Sequence, residues 1–301
     1  MTQQHRLLPI AATFLSVGLL ALMDALMKGA ALAAGVYTAT FLRAALSCAM
    51  AAPIWLGRGG RWPQRRPLKL HVLRGVVSAG MALSFFYALT KLPIAEAIAI
   101  SFVAPLLALY LAAVFLGEQI RRTAIWASVL GFAGTLVIVA GRLGRAEADT
   151  DTALGLAAIL FSAMLYAANF VVIRLQSQVA GPAEVATFHG GVAALMLVFA
   201  APWLFVWPGT EPLMGIAGAA ALTVVGAMLL AWAYAREEAQ TLVPVEYSGF
   251  LWASLFGWLF FAERVTATTL AGTMLIVGGC WLAARRPRPR VEPVPPPSGH
   301  P

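Results

Sequence analysis

Apolar residues dominate this chain in long runs that short polar connectors separate. Ten such runs follow one another, and each is about 18–25 residues long, enough for a helix to cross a hydrocarbon core about 30 Å thick. Strands of a membrane barrel would instead alternate apolar and polar residues over about ten positions. The pattern predicts an all-α membrane protein with ten transmembrane helices, at 7–31, 34–56, 72–90, 94–116, 124–141, 153–174, 184–207, 212–234, 240–261 and 267–284.

The pattern also repeats after five spans. A shift of 145 residues aligns FLGEQ, which ends span 4 at Glu118, with FFAER, which ends span 9 at Glu263. A repeat with an odd number of spans inserts its second copy upside down, as in many secondary transporters. We therefore expect two inverted five-helix repeats. The expected division is a first repeat at 7–141, a charged linker at 142–152, a second repeat at 153–284 and a disordered cytoplasmic tail at 285–301.

Composition places the chain in a lipid bilayer. Its 301 residues are 60% hydrophobic and only 11% charged, whereas soluble domains carry about 25% charged residues. The net charge of +8 comes from basic residues in connectors such as GRGGRWPQRRPLK and in the C-terminal tail. This bias fits cytoplasmic connectors better than nucleic-acid binding. We expect a multi-pass inner-membrane protein with both termini in the cytoplasm and no nucleic-acid partner.

Several motifs are missing from the sequence. It contains no G-x-x-x-x-G-K-[ST] loop, no H-E-x-x-H motif and no Cys/His cluster, so we expect no ATP-driven pumping, no metal and no cofactor. The two cysteines, Cys48 and Cys280, lie in apolar runs and indicate no disulfide framework.

Span 1 contains two charges in the stretch LLALMDALMKGAAL. Asp24 and Lys28 are four residues apart and share one helical face, and Arg43 of span 2 lies at a depth comparable to Lys28. A charge at the bilayer centre costs at least about 2.5 kcal/mol, so these side chains should face protein or a wet cavity. Two interpretations stay open: a neutralised trio that joins spans 1 and 2, or a substrate-facing or gating group. Lys28 could also snorkel to the interface.

The second repeat carries a mirrored set. At a shift of 146, Lys28 falls on Arg174 and Arg43 falls on His189, and Glu246 lies early in span 9. The three form either a satisfied polar network or a site in which Glu246 binds a substrate ammonium. His189, the one histidine in a predicted span, is either a pH-dependent group or a buried structural histidine.

Other polar and aromatic side chains in the spans should turn inward, because polar groups in lipid need partners. With Asp24 and Glu246 they suit a cavity for a small, partly apolar ligand, although aromatic residues also form interface belts. The candidates are Ser84, Tyr87, Ser101, Tyr166, Asn169, Trp232, Tyr234, Tyr247 and Trp252.

Prolines and glycines indicate hinges and close packing. Pro105 in span 4 and Pro244 in span 9 can kink their helices and act as hinges for alternating access. The small residues of GFAGTLVIVAG in span 5 and AGTMLIVGG in span 10 allow close helix contact, either within the chain or in a homodimer.

These residues resemble the EamA group of the drug/metabolite transporter superfamily. The resemblance covers about residues 10–284 and is carried by MDALMK, FLRAALS, the LP-I-A-E-A…F-x-A-P-L…L-G-E pattern of spans 3 and 4, and LVPVEYSGFLWASLFGWLFFAER in span 9. It implies ten helices, transport without ATP and a central cavity lined by spans 3, 4, 6, 8 and 9. The PVEY segment is similar to the branch that contains amino-acid exporters and carriers of riboflavin or S-adenosylmethionine.

Together these observations predict a secondary transporter of small organic metabolites that works by alternating access, with amino-acid export favoured. The transport alternative is uptake of riboflavin, S-adenosylmethionine or a nucleobase-like compound. A rival of another class is an intramembrane enzyme, which needs its reactive groups at one depth. Asp24 and Glu246 are assigned to opposite halves of the membrane, which argues against it. A membrane scaffold without transport activity is a third possibility.

Overall fold

The computed structural model describes residues 3–116, 122–144, 149–176, 179–236, 242 and 245–284, and all regular secondary structure in these ranges is helical. The first repeat contains α1 (Gln3–Ala34), α2 (Val36–Gly57), α3 (Arg65–Lys91), α4 (Ile94–Ser101), α5 (Ala104–Leu116) and α6 (Arg122–Leu143). The second contains α7 (Thr150–Gln176), α8 (Pro182–Val198), α9 (Ala201–Leu204), α10 (Thr210–Tyr234), α11 (Gly249–Phe261) and α12 (Ala267–Ala284). The all-α prediction is confirmed.

The helices account for ten spans. Five are long and apolar enough to cross a membrane on their own, namely Leu7–Ala34, Val36–Gly57, Arg65–Lys91, Thr150–Ile173 and Thr210–Tyr234. The other five are shorter apolar helices at Ile94–Ala108, Ser128–Leu143, Ala183–Val198, Gly249–Phe261 and Ala267–Gly279. The predicted tail, most of the loop before span 9 and the end of span 4 lie outside the described residues.

Two predicted spans are divided. Span 4 ends its first helix at Ser101 and restarts at Ala104, directly before Pro105. Span 7 is interrupted between Val198 and Ala201. α3 also begins at Arg65, seven residues before the predicted start at 72, so the helix continues through the basic connector. His71, which the sequence placed outside every span, is a residue of α3 and is only 1% exposed.

Helix pairing follows the inverted repeat. α1 packs along α10, and its counterpart in the second repeat, α7, packs along α3. α11 contacts α1, and the equivalent helices α5 and α7 contact each other in the same way. α2 and α8, which correspond to each other in the two repeats, pack together. Each of these contacts joins one repeat to the other. The core is therefore shared between the repeats.

Close packing of α6 on α12 rests on glycines. A Cβ added to Gly272 would lie 2.5 Å from the carbonyl oxygen of Gly134, and one added to Gly141 would lie 2.5 Å from Thr268. The small-residue faces of spans 5 and 10 thus meet each other within the chain. Their outer faces carry exposed apolar side chains such as Trp126, Phe132 and Met274, so a homodimer through these spans stays a prediction.

The end of the bundle that the charge bias predicts to face outward is called the outer end below, and the opposite end the inner end. Fully buried side chains near the outer end include Met27, Leu89, Leu92 and Ile94. At the start of α7, the backbone N–H of Thr152 donates to Asp149 Oδ1 at 2.8 Å, and this bond keeps the pKa of Asp149 below its ordinary value.

Candidate functional site

Buried polar side chains form an outer cluster around Glu263. Lys28 Nζ donates to Glu263 Oε1 at 2.5 Å and to the carbonyl oxygen of Leu92 at 2.7 Å. The backbone N–H of Ile94, the first residue of α4, donates to Glu263 Oε2 at 2.8 Å. A carboxylate at a helix N-terminus is favoured by the helix dipole. Glu263 therefore joins the ends of α1, α3, α4 and α11.

Glu96 extends the outer cluster to two more helices. Its side chain is 2% exposed, accepts a hydrogen bond from Thr269 Oγ1 at 3.1 Å and lies 3.7 Å from Arg142 Nε. Arg142 lies in the last turn of α6, and Thr269 lies in the first turn of α12. Glu96 therefore joins α4 to α6 and α12 at the outer end.

The outer cluster separates Lys28 from its expected partners. Lys28 pairs with Glu263 of the second repeat, and Asp24 lies within Coulombic range of Arg43. The interpretation of a single trio that joins spans 1 and 2 is therefore wrong for Lys28. Asp24 and Lys28 are four residues apart on one helix, so they lie about 6 Å apart along its axis and contact different neighbours.

A second set of polar residues, the midplane group, lies deeper in the bundle. It consists of Asp24, Arg43, Arg74, Tyr166, His189 and Glu246, with Tyr234 beside Glu246. Asp24, Arg74, Tyr166 and His189 lie about 10–15 Å along their helices from the nearer helix end, at 1.5 Å per residue. Such a depth places them near the centre of a bilayer.

Adjacent members of the midplane group are linked by charge. The Arg43 guanidinium lies over the Phe86 ring at 5.2 Å and within Coulombic range of Asp24. Arg43 and Arg74 both lie within Coulombic range of His189. The group therefore runs continuously from α1 through α2, α8 and α3.

Tyr166 continues the midplane group towards span 9. It lies within Coulombic range of both Arg74 and Glu246, and the Tyr234 hydroxyl donates to Glu246 Oε1. The Tyr166 side chain is 47% exposed although it lies in the middle of α7. The Tyr166 ring is therefore accessible from outside the packed core.

Arg74 is held by a relay of hydrogen bonds at the inner end. Its Nη1 donates to Gln176 Oε1 at 2.6 Å, and Gln176 Nε2 donates to His71 Nδ1 at 2.6 Å. His71 Nε2 then lies 2.8 Å from Glu184 Oε1 of α8, and the ring stacks on Phe188. The relay fixes the orientation of the Arg74 side chain between α3, α7 and α8.

The remaining predicted site residues have other surroundings. Ser84 and Ser101 donate within their own helices, to the carbonyl oxygens of Gly80 and Ala97. Ser78 donates to Asn169 Oδ1 at 3.5 Å, which is a long hydrogen bond. The Tyr247 ring packs edge-on against Phe102.

Two predicted aromatic residues lie beside basic side chains near helix ends. Lys91 Nζ lies 6.0 Å from the centre of the Tyr87 ring, and the Arg236 guanidinium lies 4.2 Å from the centre of the Trp232 ring. The Arg174 side chain and Pro244 lie outside the described residues. Their roles, and that of Pro105 as a hinge, stay predictions.

Sequence reasoning missed Arg74, His71, Gln176 and the partner role of Glu263. Arg74 lies near the start of the predicted span at 72–90, shortly after a basic connector, where an arginine usually sets orientation. Among the residues that the structure describes, no three His, Cys, Asp or Glu side chains lie close enough together to hold a metal ion.

Comparison with known proteins identifies the family. The profile of the EamA-like transporter family matches residues 7–140 and again residues 153–285. The chain belongs to the EamA-like transporter family. It is a multi-pass membrane transporter of a small molecule rather than an enzyme, and its two inverted five-helix repeats are those of this family.

Curated relatives of this EamA-like protein include two named transporters. The pseudopaline exporter CntI of Pseudomonas aeruginosa is 28% identical over 264 residues, which cover 87% of this chain and 91% of that protein. A riboflavin transporter of Brucella anthropi is 25% identical over 246 residues, which cover 79% of this chain and 84% of that protein. A solved crystal structure with 21% identity has the same fold, with a TM-score of 0.63 over 94% of this chain and 97% of that one.

Proposed function

We propose that this protein exports small zwitterionic metabolites, with amino acids as the simplest class, from the cytoplasm through the midplane group. The observation that carries the proposal is the presence of both charge signs within one group of neighbouring side chains. Asp24 and Glu246 supply carboxylates, and Arg43 and Arg74 supply guanidiniums. An amino acid offers the complementary pair of charges.

Both repeats contribute to the midplane group, as alternating access requires. Asp24, Arg43 and Arg74 come from the first repeat, and Tyr166, His189 and Glu246 come from the second. A movement of one repeat against the other would change the distances between these side chains. We assign the boundaries of the moving units to 7–141 and 153–284, with Pro105 and Pro244 as hinges.

The outer cluster acts in this proposal as the closed outer gate. Its ion pair between Lys28 and Glu263 joins the two repeats and must separate before a substrate can leave outward. The exposed face of Tyr166 supports a cavity that is open towards the inner end. Both termini lie in the cytoplasm in this orientation, and no nucleotide or other cofactor takes part.

Riboflavin uptake is the second candidate, and aromatic contacts favour it. Trp252 of α11 stacks on Phe256 with 5.7 Å between ring centres and also contacts Phe14 of α1. The buried Trp252 Nε1 has no hydrogen-bond partner among the described residues. Flat aromatic surfaces with a free donor suit an extended heteroaromatic ligand.

An efflux assay in cells tests the export proposal. Cells that express the protein are loaded with dipeptides, which intracellular peptidases cleave, and the amino acids released into the medium are measured over time. We expect faster release than in cells without the protein, and loss of this release in Asp24→Asn and Glu246→Gln. Glu211→Gln is the matched control, because Glu211 is an exposed carboxylate at the start of α10.

The folded yield of each variant decides how a loss of release is interpreted. Normal yield with lost release supports a role of these carboxylates in binding a substrate ammonium. Equal release with and without the protein, for every amino acid, contradicts the export proposal.

A further inference from the structure

Three buried nitrogen atoms of the midplane group have no hydrogen-bond partner among the residues that the structure describes. They are Arg43 Nε of α2, Arg74 Nε of α3 and His189 Nδ1 of α8. A buried donor without a partner costs about 1–3 kcal/mol, and more for a charged group. Native proteins rarely leave three such atoms together, so a ligand that supplies acceptors accounts for them.

The three side chains lie close to one another. His189 lies within Coulombic range of both guanidiniums, and α3 and α2 both pack against α8. Arg43, Arg74 and His189 are each half-buried, so part of each side chain is open while the nitrogen named above is enclosed. The free nitrogens therefore belong to side chains that are partly accessible.

The charges of the two arginines are also incompletely balanced. Neither guanidinium forms an ion pair with a carboxylate in the described part of the chain. Asp24 attracts Arg43 from a distance, whereas the hydrogen-bond partner of Arg74 is the neutral amide of Gln176. An arginine near the membrane centre without a counter-ion is costly. An anionic ligand group would remove that cost.

We propose that Arg43, Arg74 and His189 form a carboxylate subsite, and that a transported substrate must carry a carboxylate to bind there. A guanidinium fork matches the two oxygens of a carboxylate better than any other side chain does. The Gln176–His71–Glu184 relay holds Arg74 in place before the ligand arrives, so little ordering is needed on binding. The inference rests on the proposed function, since it names the substrate group that the exporter recognises.

Asp24 and Glu246 are the carboxylates that could bind the ammonium of the same substrate. The Tyr234 hydroxyl satisfies one oxygen of Glu246, and both carboxylates lie next to other members of the midplane group. A substrate with a carboxylate at the three free donors would direct its ammonium towards Asp24 or Glu246. The subsite thus fixes which end of the substrate points towards α2 and α8.

Counterflow in proteoliposomes tests the subsite without any variant. Vesicles with purified wild-type protein are loaded with an unlabelled amino acid, and entry of the labelled amino acid is measured against four competitors. The competitors are the unlabelled amino acid, its N-acetyl derivative, its carboxamide and its decarboxylated amine. The N-acetyl derivative keeps the carboxylate but lacks the ammonium, so we expect it to compete, although less well than the amino acid. The two competitors without a carboxylate should lose roughly tenfold or more in potency relative to the amino acid.

Two variants then assign the effect to this site. Arg74→Gln should raise the concentration for half-maximal entry of the amino acid by roughly tenfold or more and leave competition by the carboxamide unchanged. His189→Asn, which keeps a polar group near Nδ1, should have a smaller effect. Arg61→Gln is the matched control, because Arg61 lies in the exposed connector before α3.

The outcomes separate the two proposals. Equal competition by the acid and its carboxamide overturns the carboxylate subsite while amino-acid transport stands. Entry of a dicarboxylate but of no amino acid supports the subsite and overturns the proposed substrate. Entry of riboflavin alone overturns both proposals. If Arg74→Gln gives little folded protein, the competitor series with the wild type still decides the inference.

Discussion

At the residue scale, the buried charges of this transporter have two distinct surroundings. Lys28 and Glu263 satisfy each other and the backbone of Leu92 and Ile94. The arginines of the midplane group keep free nitrogens. A satisfied pair stabilises a closed conformation, whereas unsatisfied donors are suited to bind a ligand. On this difference in hydrogen-bond satisfaction we propose gating for the outer cluster and substrate binding for the midplane group.

Removing one partner of the outer ion pair should destabilise the protein. Glu263→Gln leaves the Lys28 ammonium buried with weaker acceptors, a type of change that costs about 3–5 kcal/mol. We expect the melting temperature in detergent to fall by about 5–10 °C. The double variant Lys28→Met/Glu263→Gln should recover part of that loss, because no charge then remains unpaired.

Differential scanning fluorimetry of the wild type, Lys28→Met, Glu263→Gln and the double variant checks the prediction. Glu211→Gln again serves as the control for the loss of a carboxylate. Additive effects of the two single changes would mean that Lys28 and Glu263 do not interact.

The sequence could identify Asp24, Arg43, His189 and Glu246 because each is a polar residue inside an apolar run. Arg74 lies near the start of the predicted span at 72–90, shortly after the basic connector, where an arginine usually has a topological role. Only the packing of α3 against α7 and α8 shows that Arg74 turns inward. Glu263 was recognised as a repeat marker, but its partner lies 235 residues away.

At the element scale, the contact between α6 and α12 should depend on individual glycines. In Gly272→Ala the new Cβ would lie 2.4 Å from Ile138 Cγ1 and 2.5 Å from the carbonyl oxygen of Gly134. Overpacking of this kind costs about 1–3 kcal/mol. We expect a lower melting temperature and a lower folded yield.

Gly278→Ala is the matched control on the same helix, because nothing lies within 4 Å of its added Cβ. Its melting temperature should equal that of the wild type or exceed it slightly, since alanine favours helix formation. A Gly272→Ala variant as stable as Gly278→Ala would show that α6 and α12 do not pack as closely as described.

The break in span 4 provides a prediction about movement. α4 ends at Ser101, and α5 restarts at Ala104. Pro105→Ala restores a backbone N–H and allows one continuous helix. We expect stability within about 1 kcal/mol of the wild type, since proline in a first turn costs little, and slower substrate entry in proteoliposomes.

Pro53→Ala is the control, because Pro53 lies near the end of α2 and is exposed. Unchanged entry rates in Pro105→Ala would remove Pro105 from the set of hinges.

The sequence indicated a kink in this span from the proline alone. It could not indicate that the helix stops at Ser101, four residues before Pro105, because Phe102 and Val103 are ordinary apolar residues.

At the scale of the whole molecule, the inverted repeat organises the packing. Equivalent helices make equivalent contacts, as in the pairs α1–α10 and α7–α3. The repeat was predictable because charged and glycine positions recur at one shift. The pairing was not, because each span is apolar around most of its surface and so gives no sign of which face meets which neighbour.

The inverted repeat and the charge bias together predict the orientation. In a variant without Cys48 and Cys280, a cysteine at position 209, in the exposed loop before α10, should react with a membrane-impermeant maleimide in intact cells. A cysteine in place of Arg61, in the connector before α3, should react only after the cells are opened. The reverse pattern would place both termini outside.

The central claim is that amino acids cross the membrane through the midplane group, and uptake into proteoliposomes tests it most directly. Purified protein is reconstituted, and entry of a labelled amino-acid mixture is measured for the wild type, Glu246→Gln and Glu211→Gln. The account predicts saturable entry of a few amino acids, lost in Glu246→Gln and retained in Glu211→Gln. Entry no faster than in protein-free vesicles for every amino acid, while riboflavin does enter, would contradict it.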